Sequence, residues 1–588
     1  MSLFTIFFSL QSLIFFIGIN FISKKIVAIL YLDKSFRLLI FSNFVLLIAF
    51  CFYFLNSTNF YYLENFCKIT YFSLIFIGYF ELTLKLNKFS KKNKKKTFKW
   101  NLIKIIYFLI LANILIASIV PVTDADSIRY HLGQFNNLQK FSEFDLHSKI
   151  SYIGDGLNTI SYYSNSLNLI SCLNFYYLFY LITLIKKNFI KEKKILFLLF
   201  LLSIPIYLNL LISQKPFLWL IFNLFYIFFL NYKNLIKKNS IIIFITLLNL
   251  SLIQIAKPEF LLIVPAFLIF LFISMKLNLI FFKRNNFKKI GFLILSLLIF
   301  PVIFYIYNYI IYLDPTKILL VQNNIGEENF VNFLKNSNMT LSFENIFEFF
   351  LNLGIPIKFT NYFSISLGLG FFICVIFSRF SLNKNYIFLI FLILLNLIFF
   401  RVNIEEHHSR NYLIIFLILI YLFLQKKILY RNLIKVILIL QLIITQISFL
   451  YFNYEIYVKN NYNNIAYNYK NENTIYEQIV VNKNSIIISN IDGNLFKKYD
   501  YINIDYYNFN EKFFFESLKQ RLKKDQKIEN IILIFKDKNL NSYLNQYYNG
   551  EIDLIFRTRN PLKKEKTVEF KIYLIPKKKF INLENPFF

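Results

Sequence analysis

Long uninterrupted apolar segments set the main limit on how this chain can fold. Residues 196–212 and 291–312 are almost wholly apolar, and each run is long enough to cross a bilayer as a helix. Hydrophobic residues make up 57% of the 588-residue chain and charged residues 17%, too little charge to cover a soluble protein of this length. The composition therefore excludes a water-soluble globular enzyme and a disordered chain, and it predicts an all-α polytopic membrane protein.

The hydropathy pattern predicts about fourteen transmembrane helices. They cover residues 2–22, 38–55, 69–84, 102–120, 162–185, 195–212, 216–231, 240–256, 258–274, 290–312, 361–378, 385–400, 411–424 and 433–452. The first run lacks the basic flank and the cleavage site of a signal peptide, so we expect a membrane helix with its N-terminus outside. Glu81, inside the third helix, is expected to face a neighbouring helix.

The net charge of +32 comes from lysine-rich loops between these helices. Before the C-terminal tail, the loops on one side carry 31 Lys or Arg and 2 Asp or Glu, and those on the other side carry 11 and 14. Because cytoplasmic loops of membrane proteins are enriched in Lys and Arg, the first set is predicted to be cytoplasmic. This distribution explains the basic charge without a nucleic-acid partner, and we expect none.

The sequence divides into three segments. Residues 1–100 hold the first helices, a candidate accessory module, and residues 101–452 hold a transmembrane core with an external loop at 121–160. Residues 453–588 change character: buried strands at 485–491 and 530–535, a helix at 511–524 and a hairpin of 551–559 with 567–575 predict a small extracytoplasmic α/β domain. An amphipathic stretch at 344–357 is expected to lie along the outer membrane interface.

The first large external loop gathers polar residues at the point where the fourth helix leaves the membrane. Asp124 and Asp126 come first, followed by Arg129, Tyr130 and His131. If this stretch is helical, Asp126 and Tyr130 share a face, which places an acid, a cation and a phenol at the boundary of lipid and water. A helix cap would account for Asp126 with the threonine three residues before it, but not for the whole group.

Further polar residues are predicted on the same external face. They are Asp155, Lys215, Lys257, Glu259, His407, His408 and Arg410. Because all four histidines of the chain fall on this face, a divalent metal site is one interpretation, although the spacing matches no zinc pattern. The alternatives are a solvated loop for the two adjacent histidines and, for Lys215 and Lys257, helix-end lysines that extend to water.

Carboxylates beside cations at the membrane boundary suit the transfer of a sugar from a polyprenyl-phosphate donor. The lipid tail requires a multi-span fold, and the acceptor requires a site that faces water. Asp124 or Asp126 would take the proton of the acceptor hydroxyl as general base. The predicted contacts to the lipid phosphate and the sugar are Arg129, Tyr130, His131, Lys215, Lys257, His407, His408 and Arg410.

Two short motifs carry a resemblance to a known family. Residues 123–132, Thr-Asp-Ala-Asp-Ser-Ile-Arg-Tyr-His-Leu, resemble the acidic first-loop motif of GT-C-fold membrane glycosyltransferases, especially a bacterial subset with an Asp-x-Asp-Ser…Tyr-His-Leu pattern. Residues 408–413, His-Ser-Arg-Asn-Tyr-Leu, resemble the Arg-Tyr-Leu stretch before a late helix in several such enzymes, although Asn411 interrupts it. Three predicted helices also precede the helix that leads into the acidic loop, whereas in the family this loop usually follows the first helix.

The resemblance implies an inverting transferase of the bacterial inner membrane, with its site and C-terminal domain on the periplasmic face. Its expected partners are a polyprenyl-phosphate sugar and a glycan, lipid or protein acceptor of the cell envelope. Two other functions stay open from the sequence: an O-antigen polymerase or ligase, and a transporter or flippase of lipid-linked glycans. The early position of the acidic motif favours the transferase over a polymerase. The absence of a visible internal repeat favours it over a transporter.

Overall fold

A computed structural model describes most of the helical part of the chain and several separate segments of the C-terminal part. The described residues are 3–58, 60–92, 102–119, 152–164, 166, 168–188, 191–236, 240–275, 287–312, 342–356, 362–377, 383–399, 408–426, 428, 430–454, 468–469, 484–489, 500–503, 516, 518–520, 522–523, 527–536, 542–556 and 566–583. The chain forms two compact units. Unit 1 holds the helices up to residue 453, and unit 2 holds the C-terminal sheet.

Unit 1 is built from helices. In chain order they are α1 (Leu3–Ile29), α2 (Arg37–Ser57), α3 (Leu63–Lys92), α4 (Leu102–Ile119), α5 (Gly156–Tyr163), α6 (Leu169–Asn188), α7 (Lys191–Leu202), α8 (Pro205–Leu211), α9 (Leu218–Tyr232), α10 (Ser240–Gln254), α11 (Phe260–Met275), α12 (Phe287–Tyr312), α13 (Phe343–Gly354), α14 (Tyr362–Ile365), α15 (Leu369–Phe377), α16 (Lys384–Phe399), α17 (Tyr412–Gln425) and α18 (Arg431–Tyr454). Helix α12 runs past the end of this unit into the next. Every residue of α17 from Tyr412 to Leu424 is buried, so this helix lies at the centre of the bundle.

Four described helices are long and apolar enough to cross a membrane: Leu10–Ile29, Lys34–Ser57, Leu63–Asn87 and Arg431–Tyr451. The bent pair of α7 and α8 adds a fifth candidate if it counts as one span. In eight more apolar helices, the part whose side chains the structure describes has between 10 and 17 residues, shorter than the roughly 20 residues that a perpendicular span needs. The described helices therefore support an association with a membrane, but they do not support the predicted count of about fourteen spans.

Helices α1 and α3 cross in very close contact. A Cβ atom on Gly18 would lie 2.1 Å from the Leu74 carbonyl oxygen, and one on Gly78 would lie 2.2 Å from the Ile14 carbonyl oxygen. The sequence places glycine where each backbone meets the other, as membrane helices do at tight crossings. Because Phe15 stacks on Tyr71, and Phe21 contacts Phe80 further along both helices, α1 and α3 run in the same direction.

The apolar segment predicted at 195–212 is a broken helix. Helices α7 and α8 meet at a bend of 68°, because Pro205 has no N–H to continue the helical hydrogen bonds. Side chains of α18 take up the carbonyl groups that the break releases. Gln441 Nε2 donates to the Ser203 carbonyl at 2.7 Å, and Gln446 Nε2 donates to the Leu202 carbonyl at 3.1 Å. The break is thus a stable part of the packed unit.

The amphipathic stretch predicted at 344–357 forms helix α13. Ser342 caps its first turn by accepting a hydrogen bond from the Asn345 backbone N–H at 3.2 Å. Phe349 and Leu353 are buried against the rest of unit 1, whereas Phe343 and Phe347 are exposed and stack on each other. The helix is confirmed, and its position at a membrane interface stays a prediction.

Unit 2 contains a six-stranded mixed sheet. Its strands are β1 (Asn468–Tyr469), β2 (Ser485–Ser489), β3 (Asp500–Asn503), β4 (Asn530–Lys536), β5 (Tyr548–Phe556) and β6 (Lys566–Pro576), followed by helix α19 (Lys577–Asn582). The order is β1-β5-β6-β4-β2-β3, with β2 parallel to β3 and β4 and the other pairs antiparallel.

The sheet confirms the strands and the hairpin predicted for the tail. Strands β2 and β4 begin at the predicted residues, and β5 pairs with β6 in the predicted hairpin. Leu518 and Leu522 are buried, as the predicted helical spacing at 511–524 requires, and Phe514 lies outside the described residues. The predicted turn at residues 560–561 lies outside them as well, and the exposure of this unit to the periplasm stays a prediction.

Candidate functional site

The acidic loop predicted to carry the catalytic base lies outside the residues that the structure describes. This applies to Asp124, Asp126, Arg129, Tyr130 and His131. His407 also lies outside, and His408 is described in its backbone only. The remaining predicted phosphate contacts, Lys215, Lys257 and Arg410, are described and lie in unit 1. Their geometry is therefore the part of the predicted site on which function can be argued.

Three charged side chains from two distant parts of the chain converge in unit 1. Arg410 pairs with Glu259, with 2.7 Å between the guanidinium Nη2 and the carboxylate Oε1. Lys257 Nζ lies 3.5 Å from the same oxygen. The three side chains are between 8% and 16% exposed, so this is a largely buried group of charges. One carboxylate oxygen thus holds two cations, of which Arg410 is 151 residues away from Glu259 along the chain.

An aromatic ring orients both cations. The ring of Phe217 is buried between the two, with Lys257 Nζ 5.7 Å and the Arg410 guanidinium carbon 5.2 Å from its centroid. Both distances are in the range of cation–π contacts, which are strongest away from water. Phe217 stands just before α9, and Lys257 and Glu259 form the turn between α10 and α11. We call the whole group the Glu259 cluster: Asp155, Lys215, Phe217, Lys257, Glu259 and Arg410.

Asp155 is fixed beside these residues by a turn of 3-10 helix. Its carboxylate accepts hydrogen bonds from the Tyr152 backbone N–H at 3.3 Å and from Asn158 Nδ2 at 3.1 Å. The same turn docks on the turn that carries Lys257, because the Gly154 N–H donates to the Ala256 carbonyl at 3.1 Å. Asp155 closes this 3-10 turn, Ile153–Asp155, and the residue is only 4% exposed.

The cluster carries an excess of positive charge in a poorly hydrated place. Asp155 and Lys215 both act electrostatically on Lys257, so three cations stand against two carboxylates. The pKa of Lys257 is lowered to about 8, chiefly by burial; Glu259 and Asp155 oppose this shift, and Arg410 and Lys215 add to it. A buried group with more cations than anions is stabilised by a bound anion, and phosphate oxygens suit Arg and Lys donors.

A buried polar network supports the cluster from behind. Asn158 Nδ2 also donates to the Gln214 carbonyl at 3.2 Å, which links Asp155 to the segment that bears Lys215 and Phe217. Gln214 Oε1 accepts from the Ile170 N–H at 3.0 Å, and Gln214 Nε2 donates to Ser171 Oγ at 3.2 Å. These bonds clamp the cluster to the start of α6, so its side chains are held in place before any ligand binds.

Arg410 stands at the start of the central helix. It belongs to a 3-10 turn, His408–Asn411, that leads directly into α17. Both polar atoms of the Asn411 side chain are buried, and neither has a hydrogen-bond partner among the described residues. The Tyr412 ring packs on Phe349 of α13, with ring centroids 5.1 Å apart. Asn411, the residue that interrupts the Arg-Tyr-Leu pattern, thus places a buried polar side chain next to Arg410.

An apolar groove lies beside the segment that carries Arg410. Its volume is about 400 Å³. The lining residues are Gly354, Ile355, Pro356, Tyr362, Leu369, Ile437, Leu440, Gln441 and Ile444. Helix α14, which begins at Tyr362 in the groove wall, packs against the turn His408–Asn411. One wall of the groove therefore contacts the turn that carries Arg410.

Sequence reasoning missed three residues of this arrangement. Phe217 is one of 75 phenylalanines, and nothing in the sequence separates it from the others. Asn158 and Gln214 are uncharged polar residues beside apolar runs, and this position is the only signal that could have drawn attention to them. The described residues contain no group of three or more His, Cys, Asp or Glu that could hold a metal ion.

Comparison with known proteins adds no relative. No protein-family model matches the chain, and no curated protein or solved structure is similar to it. The function is therefore argued from the chemistry of the cluster and from the short motifs of the sequence.

Proposed function

We propose that this protein is an inverting membrane glycosyltransferase that moves a sugar from a polyprenyl-phosphate donor to an acceptor outside the bacterial inner membrane. The observation that carries the proposal is the convergence of Lys257 and Arg410 on Glu259 and Phe217. Both cations were expected from the sequence to contact a lipid phosphate, and together with Lys215 they form a positively charged, largely buried group at the end of apolar helices.

The proposed reaction needs a base and a stabilised leaving group. Asp124 or Asp126 takes the proton of an acceptor hydroxyl, and the hydroxyl oxygen attacks the anomeric carbon of the sugar from the face opposite the phosphate. The bond from that carbon to the phosphate oxygen breaks, and the phosphate of the carrier lipid gains one negative charge. Lys257 and Arg410 stabilise this new charge, so the cluster acts on the leaving group rather than on the acceptor.

The apolar groove supports a lipid carrier as the donor. Its walls offer apolar surface for part of an isoprenoid chain, and it lies beside the turn that presents Arg410. A water-soluble nucleotide sugar would have no use for such a groove. The proposed enzyme has a GT-C-like arrangement of membrane segments with its C-terminal unit in the periplasm, and its acceptor is a glycan, lipid or protein of the cell envelope.

Transfer assays on the full-length protein test this function. Reconstituted protein is supplied with a panel of radiolabelled polyprenyl-phosphate hexoses and pentoses and with membrane acceptors, and labelled product and released polyprenyl phosphate are measured. We expect Asp124→Asn or Asp126→Asn to lower transfer by at least a hundredfold, as loss of a general base does. Arg410→Gln is expected to weaken donor binding and to slow transfer.

Lys233→Gln is the matched control for these variants. Lys233 is an exposed lysine that follows the far end of α9, away from Phe217, and the proposal assigns it no role. Full transfer by both aspartate variants would refute the assignment of the base. Donor affinity unchanged in Arg410→Gln would refute the assignment of the cluster to the phosphate.

Among the described residues, the broken helix formed by α7 and α8 favours a transporter of lipid-linked glycans. Discontinuous helices of transporters present free backbone groups to their substrates. Here the carbonyls of Leu202 and Ser203 are instead hydrogen-bonded to Gln446 and Gln441 of α18. Movement of an intact labelled donor across vesicles, without release of polyprenyl phosphate, is the result that would favour transport over transfer.

A further inference from the structure

A second group of charges lies at the opposite end of the helical unit. Glu81 of α3 is 2% exposed, and its Oε1 is 3.4 Å from Lys24 Nζ of α1 and 3.2 Å from Lys85 Nζ of α3. The two lysine side chains are about half exposed, at 48% and 54%. A buried carboxylate therefore holds two ammonium groups at the surface, where a ligand can reach them.

Two more cations lie beside this group, Lys25 in α1 and Arg37 at the start of α2. The side chains of Lys24 and Lys25 both lie over the ring of Phe21, at 5.8 and 5.5 Å from its centroid. Arg37, the first residue of α2, donates from Nη2 to the Asn20 carbonyl at 3.4 Å, one turn before Lys24. We call these cations the Glu81 group: Lys24, Lys25, Arg37 and Lys85 around Glu81.

An exposed row of phenylalanines leads along α3 to the Glu81 group. Phe72, Phe76 and Phe80 follow one another at four-residue spacing and are 51%, 75% and 52% exposed. Phe80 contacts the ring of Phe21, the same ring over which Lys24 and Lys25 lie. The candidate span in α3 is also the least buried of the four. Only 22% of its most apolar stretch is buried inside the protein, against 61% for the candidate span in α2.

We propose that the Glu81 group and this row bind an anionic glycerophospholipid of the surrounding bilayer. Four cations against one carboxylate leave a positive excess that the charge of a phosphodiester headgroup complements. The row supplies an apolar face in continuity with the cations, which acyl chains of the same molecule cover. A soluble anion would bind the cations but leave the phenylalanine row exposed. Cations next to an apolar row therefore fit an amphiphilic ligand better than a soluble anion.

This lipid site is separate from the Glu259 cluster and does not rest on the proposed transferase. Tyr226 of α9 donates a hydrogen bond to the Ser35 carbonyl, next to Arg37, whereas Phe217 stands before the first residue of α9. Tyr226 lies nine residues after Phe217, about 13 Å along the axis of α9, so the two charge groups are separated along this helix. The bound lipid is thus a structural partner at the end away from the reaction site.

Lipid retention by the purified full-length protein tests the proposal. Native mass spectrometry and titration in nanodiscs compare phosphatidylglycerol with phosphatidylcholine for the unchanged chain and for Lys24→Gln/Lys85→Gln. We expect the unchanged protein to prefer phosphatidylglycerol and the double variant to bind it at least tenfold more weakly, since each lysine near anionic lipid contributes on the order of 1 kcal/mol, or about fivefold in affinity. Phe76→Asn is expected to weaken binding as well.

The matched control is Lys233→Gln/Lys384→Gln. Both lysines are exposed; Lys233 follows α9 and Lys384 begins α16. Because loss of Lys24 and Lys85 leaves Glu81 buried without its cations, a third variant adds Glu81→Gln to keep the α1–α3 pair folded. Equal losses in the control, no preference for phosphatidylglycerol, or complete displacement by soluble glycerol phosphate would each overturn the proposal; the last would indicate a site for a soluble anion.

Discussion

Glu259 determines how the cations of the candidate site behave. It holds Lys257 and Arg410 through one oxygen, and these two cations also share one aromatic ring. In such a buried arrangement, removal of any one charge leaves its partners desolvated and unbalanced, which commonly costs about 3–5 kcal/mol. Variants that keep charge or shape are therefore more informative here than alanine substitutions.

Lys257 makes the site sensitive to alkaline pH. Because burial lowers its pKa to about 8, Lys257 loses its positive charge as the pH rises through this value. Donor affinity is therefore expected to fall severalfold between pH 7 and pH 9. Lys257→Arg, which stays protonated, is expected to remove this dependence, and Lys257→Gln is expected to bind weakly at every pH. Donor affinity is measured as a function of pH for the unchanged protein and for both variants. If Lys257→Arg showed the same pH dependence as the unchanged protein, Lys257 would not be its cause.

The same pKa shift has a consequence for stability without a ligand. The unfolded chain keeps this proton up to the ordinary pKa of 10.5, whereas the folded chain loses it near 8. Between these values the unfolded state binds more protons, so this residue contributes increasing stability as the pH rises from about 8 to about 10.5. We expect thermal unfolding to show this gain in the unchanged protein relative to Lys257→Gln. A gain of equal size in both proteins would assign it to other groups.

Phe217 is a positioning residue for both cations. Phe217→Leu keeps most of the apolar volume and removes the ring, at a cost of about 1 kcal/mol for each cation–π contact. We expect KM for the donor to rise by about tenfold with little change in thermal stability. Phe225→Leu is the control, because Phe225 is buried in α9, which Phe217 precedes, and its ring contacts the rings of Phe197 and Tyr421. Similar kinetic losses in both variants would reduce the role of Phe217 to packing.

At the scale of elements, two continuous apolar runs form interrupted helices, so the hydropathy pattern alone does not give the helix boundaries. The apolar run at 195–212 becomes two helices at a bend of 68°, and the run at 361–378 becomes α14 and α15 around residues 366–368. At both breaks, Gln441 forms hydrogen bonds with backbone groups. It donates to the Ser203 carbonyl at the first break and accepts from the Gly370 N–H, at 3.1 Å, at the second. One side chain of α18 thus stabilises two interrupted segments.

Gln441 is expected to contribute strongly to the stability of unit 1. Gln441→Leu keeps the size of the side chain but removes the acceptor of the Gly370 N–H and leaves the Ser203 carbonyl with only the longer bond, 3.4 Å, from Thr445 Oγ1. A buried polar group that loses its partner costs about 1–3 kcal/mol. We expect the temperature of unfolding in detergent to fall by several degrees. Ile447→Ala, at a position of the same helix that is 61% exposed, is the control and should change it little. An unaltered unfolding temperature in Gln441→Leu would show that water replaces these bonds.

The sequence predicted elements better than contacts, for a physical reason. The strands of unit 2 follow from short β-branched runs, and helix α13 follows from its amphipathic spacing, because both signals are local. The convergence of Lys257 and Arg410 depends on how the α10–α11 turn packs against the start of α17, which no local pattern encodes. Each residue was predicted at the outer boundary, but their shared carboxylate and ring were not. Glu81 faces α1 as predicted, and its paired lysines became evident only in the structure.

At the scale of the whole helical unit, charge is distributed between two ends. Lys24, Arg37 and Lys85 surround Glu81 at one end, and Arg431 pairs with Glu192 where α17 finishes, since Lys193 donates to the Gln425 carbonyl. The Glu259 cluster stands where α9 and α17 begin. The described members of the predicted cytoplasmic loops thus lie at the end away from the proposed reaction site.

Labelling of single cysteines tests this arrangement in cells. In a chain with its four native cysteines replaced, Tyr61→Cys lies between α2 and α3, and Lys34→Cys lies before α2 at the other end. Both positions are exposed. A membrane-impermeant maleimide is expected to label Tyr61→Cys in intact cells and Lys34→Cys only after permeabilisation. The reverse pattern would place the Glu259 cluster in the cytoplasm and would exclude the proposed transfer to an external acceptor.

The hydrogen bonds at the break between α7 and α8 also constrain biogenesis. Their donors on α18 follow the accepting carbonyls by 238 and 244 residues, so ribosomes must add more than a third of the polypeptide before those carbonyls find their partners. Until then the kinked segment must rely on water, translocon surfaces or a chaperone for shelter. Nascent chains that stop short of Arg431 are therefore expected to be early targets of membrane quality-control proteases.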